Sequence, residues 1–348
     1  MPFTFEAELT NDNSQFMNVY PIIERELMEY IEGLKETKAA DQHFKQALSY
    51  NILNDTFFGA SIAITVYKKL LGENNLTADN IRMVHILGWI IEMLRSIHMM
   101  SEHIVDCSKI RRQKVCWHTL KIGEPTAVID IIMIKECIGI ILKKHFRHLA
   151  CYMSLFDLFE ESTLVMTIGQ SMDFQLSRGD VSIFTIDTYK SMVYKKFAHP
   201  YLYIPTVASM LLAGYKDHKA FNEIKNICYE LGYFVQVEGD LLDFFRNGNG
   251  SNETDNDIIN GKCTWLAITA MQCGSQQQKE ILRKCYGKND IQCVEQIKRV
   301  YNELKLTSLY EQYKENMYNS TQNLINAVED DNLQSVLSHV LHKIFNKP

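Results

Sequence analysis

The sequence between positions 102 and 117 reads Glu102-His-Ile-Val-Asp106-Cys-Ser-Lys-Ile-Arg111-Arg112-Gln-Lys-Val-Cys-Trp117. Glu102 and Asp106 lie four residues apart, so on a helix both carboxylates share one face, one turn apart. Two guanidinium groups follow at Arg111 and Arg112. Carboxylates suit a hard divalent cation and guanidinium forks suit phosphate oxygens, so the stretch is fitted to hold a diphosphate. Upstream, Val84, Leu87, Gly88, Ile91 and Leu94 recur at steps of one, three and four residues and lead a long helix into the pair.

The same periodicity runs through the rest of the chain, as in Ile131, Ile134, Cys137, Ile138 and Ile141. Two-residue alternation is rare, and the turn-rich tract is Arg246 to Asn256. Only six prolines punctuate 348 residues. These features predict an all-α fold of about ten or more helices, one large bundle spanning 1–348 with a short N-terminal arm of about 1–15.

Composition excludes several functions. A net charge of −6 without a basic, aromatic-interleaved stripe argues against nucleic acid. The apolar segments near 81–105 and 127–142 are interrupted by charged residues and predict no membrane span. Nine scattered cysteines with no Cys-x-x-Cys pair, and no signal layout at the N-terminus, predict a reduced, cytoplasmic protein.

The stretch at 102–117 resembles the first aspartate-rich motif of the trans-isoprenyl diphosphate synthases of the farnesyl diphosphate synthase type, Asp-Asp-x-x-Asp followed by Arg-Arg. Glu102 and His103 stand where the first two aspartates belong. Phe234-Val-Gln236-Val-Glu-Gly239-Asp240-Leu-Leu-Asp243 resembles the second motif, with Gly239 in place of its leading aspartate. Gly169-Gln170-Ser-Met-Asp173, Tyr189 to Lys196, and Asp257 to Trp265 match further family segments in order, from about Tyr50 to Phe345.

The resemblance implies the isoprenoid synthase fold, a helical bundle around a central apolar cavity, and a homodimer. It implies three Mg2+ ions held by Glu102, Asp106, Asp240 and Asp243, with Asn247 as a further oxygen ligand. Arg111, Arg112, Lys196 and Lys262 would grip the allylic diphosphate, with Asp106, Arg111 and Lys196 central to ionisation. Gln170, Asp173 and Gln236 would line the upper cavity. The family's isopentenyl diphosphate segment, Gly-Gly-Lys-x-x-Arg after a Tyr-Asn pair, is changed. After Tyr50-Asn51 the lysine position is Thr56 and the arginine position Gly59, and the C-terminal tail also departs. Each lost charge-assisted contact is worth about 1.5–3 kcal/mol.

That asymmetry points to a class I terpene synthase derived from a farnesyl diphosphate synthase, similar to those of insects that make terpene pheromones. It would ionise farnesyl or geranylgeranyl diphosphate and let the cation cyclise or be quenched. Prenyl transfer through a rearranged second site, and a catalytically silent regulatory paralogue, are the alternatives. Ile97 and His98, just upstream of the first motif, occupy the family's cavity floor, where Ile97 predicts a deeper pocket. Trp89, Phe174, Phe197, Tyr201 and Tyr203 read as core.

Overall fold

The computed structural model describes residues 12–34, 38–53, 57–111, 114–246 and 257–345. Among them the chain is almost wholly helical, as the periodicity predicts. In order come α1 (Asp12–Glu32), α2 (Lys38–Ile52), α3 (Phe58–Leu71), α4 (Ala78–Val105), α5 (Gly123–Phe146), α6 (Tyr152–Ser177), α7 (Ile186–Val193), α8 (Ile204–Leu212) and α9 (His218–Arg246). They are followed by α10 (Trp265–Cys273), α11 (Gln276–Cys285), α12 (Ile291–Glu303), α13 (Leu306–Asn326) and α14 (Asp331–Phe345). The one sheet among the described residues is a hairpin of β1 (Ile110–Arg111) and β2 (Lys114–Val115), paired Ile110 to Val115 and Arg111 to Lys114.

Helix α4 is the axis of the bundle. Thr77 and Asn80 form a capping box at its start, closing two otherwise unpaired amides. Every residue from Val84 to His98 is buried, which is the mark of a helix packed on all sides. Helices α1, α2, α3, α5, α6 and α8 surround it. Trp89 stacks on Phe16 of α1 at 4.4 Å between ring centroids and donates Nε1–H to the Phe16 carbonyl. It is a core residue, as expected. The charges inside α4 neutralise each other: Glu92 and Arg95 pair at 2.6 Å, and Glu92 also accepts the Ala60 N–H.

Between α7 and α8 the chain continues helically as a π-helical segment, Tyr194–Tyr203, containing Pro200. Proline lacks the amide that an α-helix would need there, and π turns absorb such a mismatch and commonly mark functional sites. Two glycines let this segment approach its neighbours. A Cβ on Gly169 of α6 would lie 2.3 Å from the Lys196 nitrogen, and one on Gly232 of α9 would lie 2.3 Å from the Ala198 Cβ. The clamp fixes Lys196 beside α6. No helix is long and apolar enough to cross a membrane among the described residues.

Candidate active site

Helix α4 delivers Glu102 and Asp106 to one end of the bundle. The helix stops after Val105; Asp106 is its C-cap and Cys107 takes a left-handed φ of 52°. That reversal starts the hairpin, which folds Arg111 back until its Nη2 lies 3.5 Å from Asp106 Oδ2. Two more cations arrive from distant sequence. Lys196 lies 3.0 Å from Glu102 and 2.7 Å from Asp173 Oδ2. Lys262 lies 2.6 Å from Asp106 and 2.9 Å from that same Asp173 oxygen. The Lys262 backbone is held by the Tyr286 hydroxyl, which donates to its carbonyl at 2.7 Å.

The result is a neutral ring of three carboxylates and three cations: Glu102, Lys196, Asp173, Lys262, Asp106 and Arg111. Burial opposes the charge on Glu102, but Lys196, His98 and Arg111 outweigh it and hold this carboxyl well below its usual range. Asp173 is lowered in the same way by Lys196 and Lys262 against burial. For Asp106 burial wins over Lys262, and its carboxyl is raised. Lys196 and Lys262 are both raised: burial opposes their charge, and Asp173 chiefly restores it. Such a ring is ready to exchange partners. A diphosphate would offer the lysines and Arg111 new oxygens while freeing Glu102 and Asp106.

The second motif is built differently. Asp240 is buried and fully engaged: Oδ2 accepts from the Tyr189 hydroxyl at 2.6 Å and the Trp265 N–H at 2.9 Å, and Oδ1 accepts from Gln236 Nε2 at 2.9 Å. Burial pushes it up to about 6. It ties α7, α9 and α10 together. Gln236, expected to line the upper cavity, donates to Asp240. Asp243 accepts the Asp257 N–H at 3.4 Å. Asp257 faces Asp243, Asp240, Lys262 and Asp173; burial and then the two acids of the second motif raise it well above a normal carboxyl. It adds a third acid beside the second motif. Arg112, Asn247 and Thr56 lie outside the described residues.

Among the described residues, no group of three or more His, Cys, Asp or Glu side chains converges as a ready metal cage. At the first motif, Glu102 and Asp106 offer carboxylate oxygens, balanced by Lys196, Lys262 and Arg111. That donor set fits Mg2+, which keeps several waters and needs few protein oxygens. Asp240, with its oxygens already accepting three bonds, fits poorly as a metal ligand.

A cavity of about 170 Å³ opens between α2, α4 and the hairpin, beside the ring. Tyr50, Asn51, Arg95, His103, Arg111 and Lys114 are among its walls. Two of its cations, Arg95 and Lys114, come from outside the segment that carries Thr56 and Gly59. Arg95 is bound to Glu92 as described. Lys114 donates to the Tyr50 carbonyl at 2.5 Å and stands over the Tyr50 ring at 3.8 Å. At Gly59 a side chain has no room, since its Cβ would lie 2.6 Å from Ile91 Cγ2.

Comparison with known proteins agrees with the all-α fold. The family model described as polyprenyl synthetase matches residues 42–304. Farnesyl pyrophosphate synthase of Panax ginseng is 31% identical over 337 residues, covering 96% of this chain and 98% of that protein. The protein of that name from Murgantia histrionica is 28% identical over 337 residues, covering 97% and 82%. The human one is 28% identical over 339 residues, covering 97% and 81%. A helical bundle with the ring of Glu102, Asp106, Asp173, Lys196, Lys262 and Arg111 at its end, and a family match over most of its length, place this chain in the polyprenyl synthetase family.

Proposed function

We propose that this chain is a class I terpene synthase. It would ionise farnesyl or geranylgeranyl diphosphate and release a cyclised or quenched terpene together with diphosphate. The family is generally Mg2+-dependent; bound at Glu102 and Asp106, the metal would supply positive charge to the leaving diphosphate. The chain's own contribution is the set Lys196, Lys262 and Arg111. These three cations can turn from carboxylates to the diphosphate as charge develops on it. Asp173, bonded to both lysines, aims them.

The observation that carries this reading is the unequal state of the cations. Those on the allylic side, Lys196, Lys262 and Arg111, are paired with Glu102, Asp106 and Asp173 in a partly buried ring. On the other side, Arg95 is neutralised by Glu92, Lys114 is turned onto Tyr50, and Gly59 leaves no space for the arginine that its family position would hold.

Prenyl transfer to isopentenyl diphosphate is the second reading, and the comparisons favour it over the first. The relatives are named farnesyl pyrophosphate synthase, and the cavity bearing Arg95, Arg111 and Lys114 lies where a second diphosphate would be sought. One experiment separates the two. The protein is given Mg2+ and C10, C15 or C20 diphosphates, with and without labelled isopentenyl diphosphate. Hydrocarbon or alcohol formed without isopentenyl diphosphate supports terpene synthesis. Label in a longer diphosphate supports transfer. No turnover with any of them overturns both and leaves the regulatory paralogue.

A second copy of the chain is the partner we propose. Val128, Ile129 and Ile132 of α5 and Leu164 and Ile168 of α6 are exposed on packed neighbouring helices. An apolar stripe of this kind is what a homodimer buries.

A further inference from the structure

The hairpin of α11 and α12 holds two thiols against each other. Cys285 is the last residue of α11, and Cys293 lies in the first turn of α12. The two helices pack together, and the Cys285 and Cys293 side chains share a hydrogen bond. Cys285 Sγ also lies 3.7 Å from Gln296 Oε1. Gln296 follows Cys293 by three residues, so both lie on the face of α12 turned to Cys285. Cys285 is 6% exposed and Cys293 is partly buried, and neither is in a disulfide.

The same turn supports Lys262. Tyr286 follows Cys285 directly, and its hydroxyl donates to the Lys262 carbonyl at 2.7 Å. Gly287 N–H donates to the Ile258 carbonyl at 2.9 Å. The turn and the 258–262 loop meet glycine to glycine. Gly261 and Gly287 both have positive φ, and a Cβ on Gly261 would lie 3.2 Å from the Gly287 Cα. A movement at the end of α11 therefore reaches the loop that sets Lys262 against Asp106 and Asp173. A disulfide needs its sulfurs at about 2.05 Å, well inside a hydrogen-bonded contact. Forming one draws Cys285, and Tyr286 with it, toward α12.

We infer that Cys285 and Cys293 are a reversible thiol–disulfide site, and that closing it pulls Tyr286 off the Lys262 carbonyl and weakens the grip on diphosphate. The effect on the grip rests on the reading of the ring as a diphosphate site. The oxidant is a low-molecular-weight disulfide. The thiolate of Cys293, the more exposed of the two, attacks one of its sulfurs; a mixed S–S bond forms and one small thiolate leaves. The Cys285 thiolate then attacks the Cys293 sulfur, the mixed bond breaks, and the second small thiolate leaves. Two protein thiols are oxidised, one small disulfide is reduced to two thiols, and the two protons given up by the protein end on them. Burial, then the neighbouring thiol, pushes Cys285 up to about 11, so Cys285 reacts second. An excess of small thiol reverses both steps.

The test treats the full chain with glutathione disulfide or with dithiothreitol and titrates each form with inorganic diphosphate and Mg2+ by calorimetry. Trypsin cuts after Lys284, Lys288 and Lys298, so the disulfide is read as peptide 285–288 linked to peptide 289–298. The oxidised wild type is expected to give that linked peptide and to recover in dithiothreitol. Its diphosphate affinity is expected to fall at least about tenfold, the scale of one lost charge-assisted contact. Cys293→Ser is expected to bind like the reduced wild type and to ignore the oxidant, which separates the pair from the exposed Cys107 and Cys273. Tyr286→Phe is expected to bind more weakly when reduced and to lose most of the oxidation effect. If Cys293→Ser fails to fold, the linked peptide and the wild-type affinities decide. No linked peptide, or a linked peptide with unchanged affinity, overturns the proposal and spares the diphosphate site. So does an oxidation effect of wild-type size in Cys293→Ser or in Tyr286→Phe. A reduced wild type that binds no diphosphate overturns the site reading and the coupling with it.

Discussion

Lys262 Nζ lies 2.6 Å from Asp106 Oδ1, a contact that closes 156 residues of chain and joins the first motif to the loop beyond the second. Lys262 also bonds Asp173, and Asp173 bonds Lys196, so one carboxylate sets the spacing of two ammonium groups. Their distance from each other is thus fixed before any substrate arrives. Asp106→Ala and Arg111→Ala are each expected to lower turnover by about two powers of ten, as removal of a leaving-group clamp does. Diphosphate release under saturating Mg2+ is the measurement. Wild-type rates in both variants would remove the site assignment.

Asp240 has a structural part as well. Because it accepts from Tyr189, Gln236 and the Trp265 amide, Tyr189→Phe deletes one donor and leaves a buried carboxylate short of a bond. The expected loss is about 1–3 kcal/mol of stability, or several degrees in a thermal melt. Unchanged melting would mean that Asp240 is not the pin joining α7, α9 and α10.

The difference between Asp240 and Asp106 shows what the sequence could and could not disclose. Apolar spacing is a property of each segment alone, so the helices, α4 among them, and the core place of Trp89 were legible. The face shared by Glu102 and Asp106 was legible for the same reason. Which acid pairs with which lysine depends on chain crossings. Nothing local to Asp173 says that it meets Lys262, and nothing local to Gln236 says that it bonds Asp240. Likewise Arg95 enters the cavity beside Tyr50 because α4 packs on α2, and Lys114 because the hairpin packs on Tyr50. The charges along the Tyr50 segment disclose neither.

Gly59 follows Phe58 at the start of α3, against α4. Restoring the family's arginine there by Gly59→Arg would drive a Cβ to 2.6 Å from Ile91 Cγ2 and 3.6 Å from Glu92 Oε1. Overpacking of this sort costs about 1–3 kcal/mol. The variant is expected to melt several degrees lower and to gain no incorporation of labelled isopentenyl diphosphate. Efficient incorporation by Gly59→Arg would show that one residue had closed the second site.

Acid should loosen the π-helical segment. His199, held by Tyr229 at 2.9 Å, is pushed down to about 3 by burial and then by Lys225. The unfolded chain protonates this histidine near its ordinary value of 6.5. Between those values the unfolded state binds more protons than the folded one, so stability rises with pH. The contribution is intact above about 6.5 and is lost progressively as pH falls toward 3, at about 1.4 kcal/mol per unit. Melting temperatures at pH 7, 6 and 5 are expected to fall in that order, and His199→Asn, which keeps an acceptor for Tyr229, to flatten the trend. Equal slopes for the variant and the wild type would place the acid sensitivity elsewhere.

Gly239 is the last lever, because it stands where the second motif's leading acid belongs and a Cβ there would meet nothing within 4 Å. Gly239→Asp therefore fits without repacking, and replacing a mid-helix glycine adds up to about 1 kcal/mol of helix stability less the weaker propensity of aspartate. The added carboxylate lies one residue before Asp240, whose own oxygens are engaged, and would be free to take a hard cation. Half-maximal Mg2+ for diphosphate release is expected to fall by about tenfold, the effect of roughly 1.4 kcal/mol gained at one charged contact. The melting temperature should hold or rise. A Mg2+ requirement identical to wild type would mean that the second motif has left metal binding altogether and that ionisation depends on Glu102 and Asp106 alone.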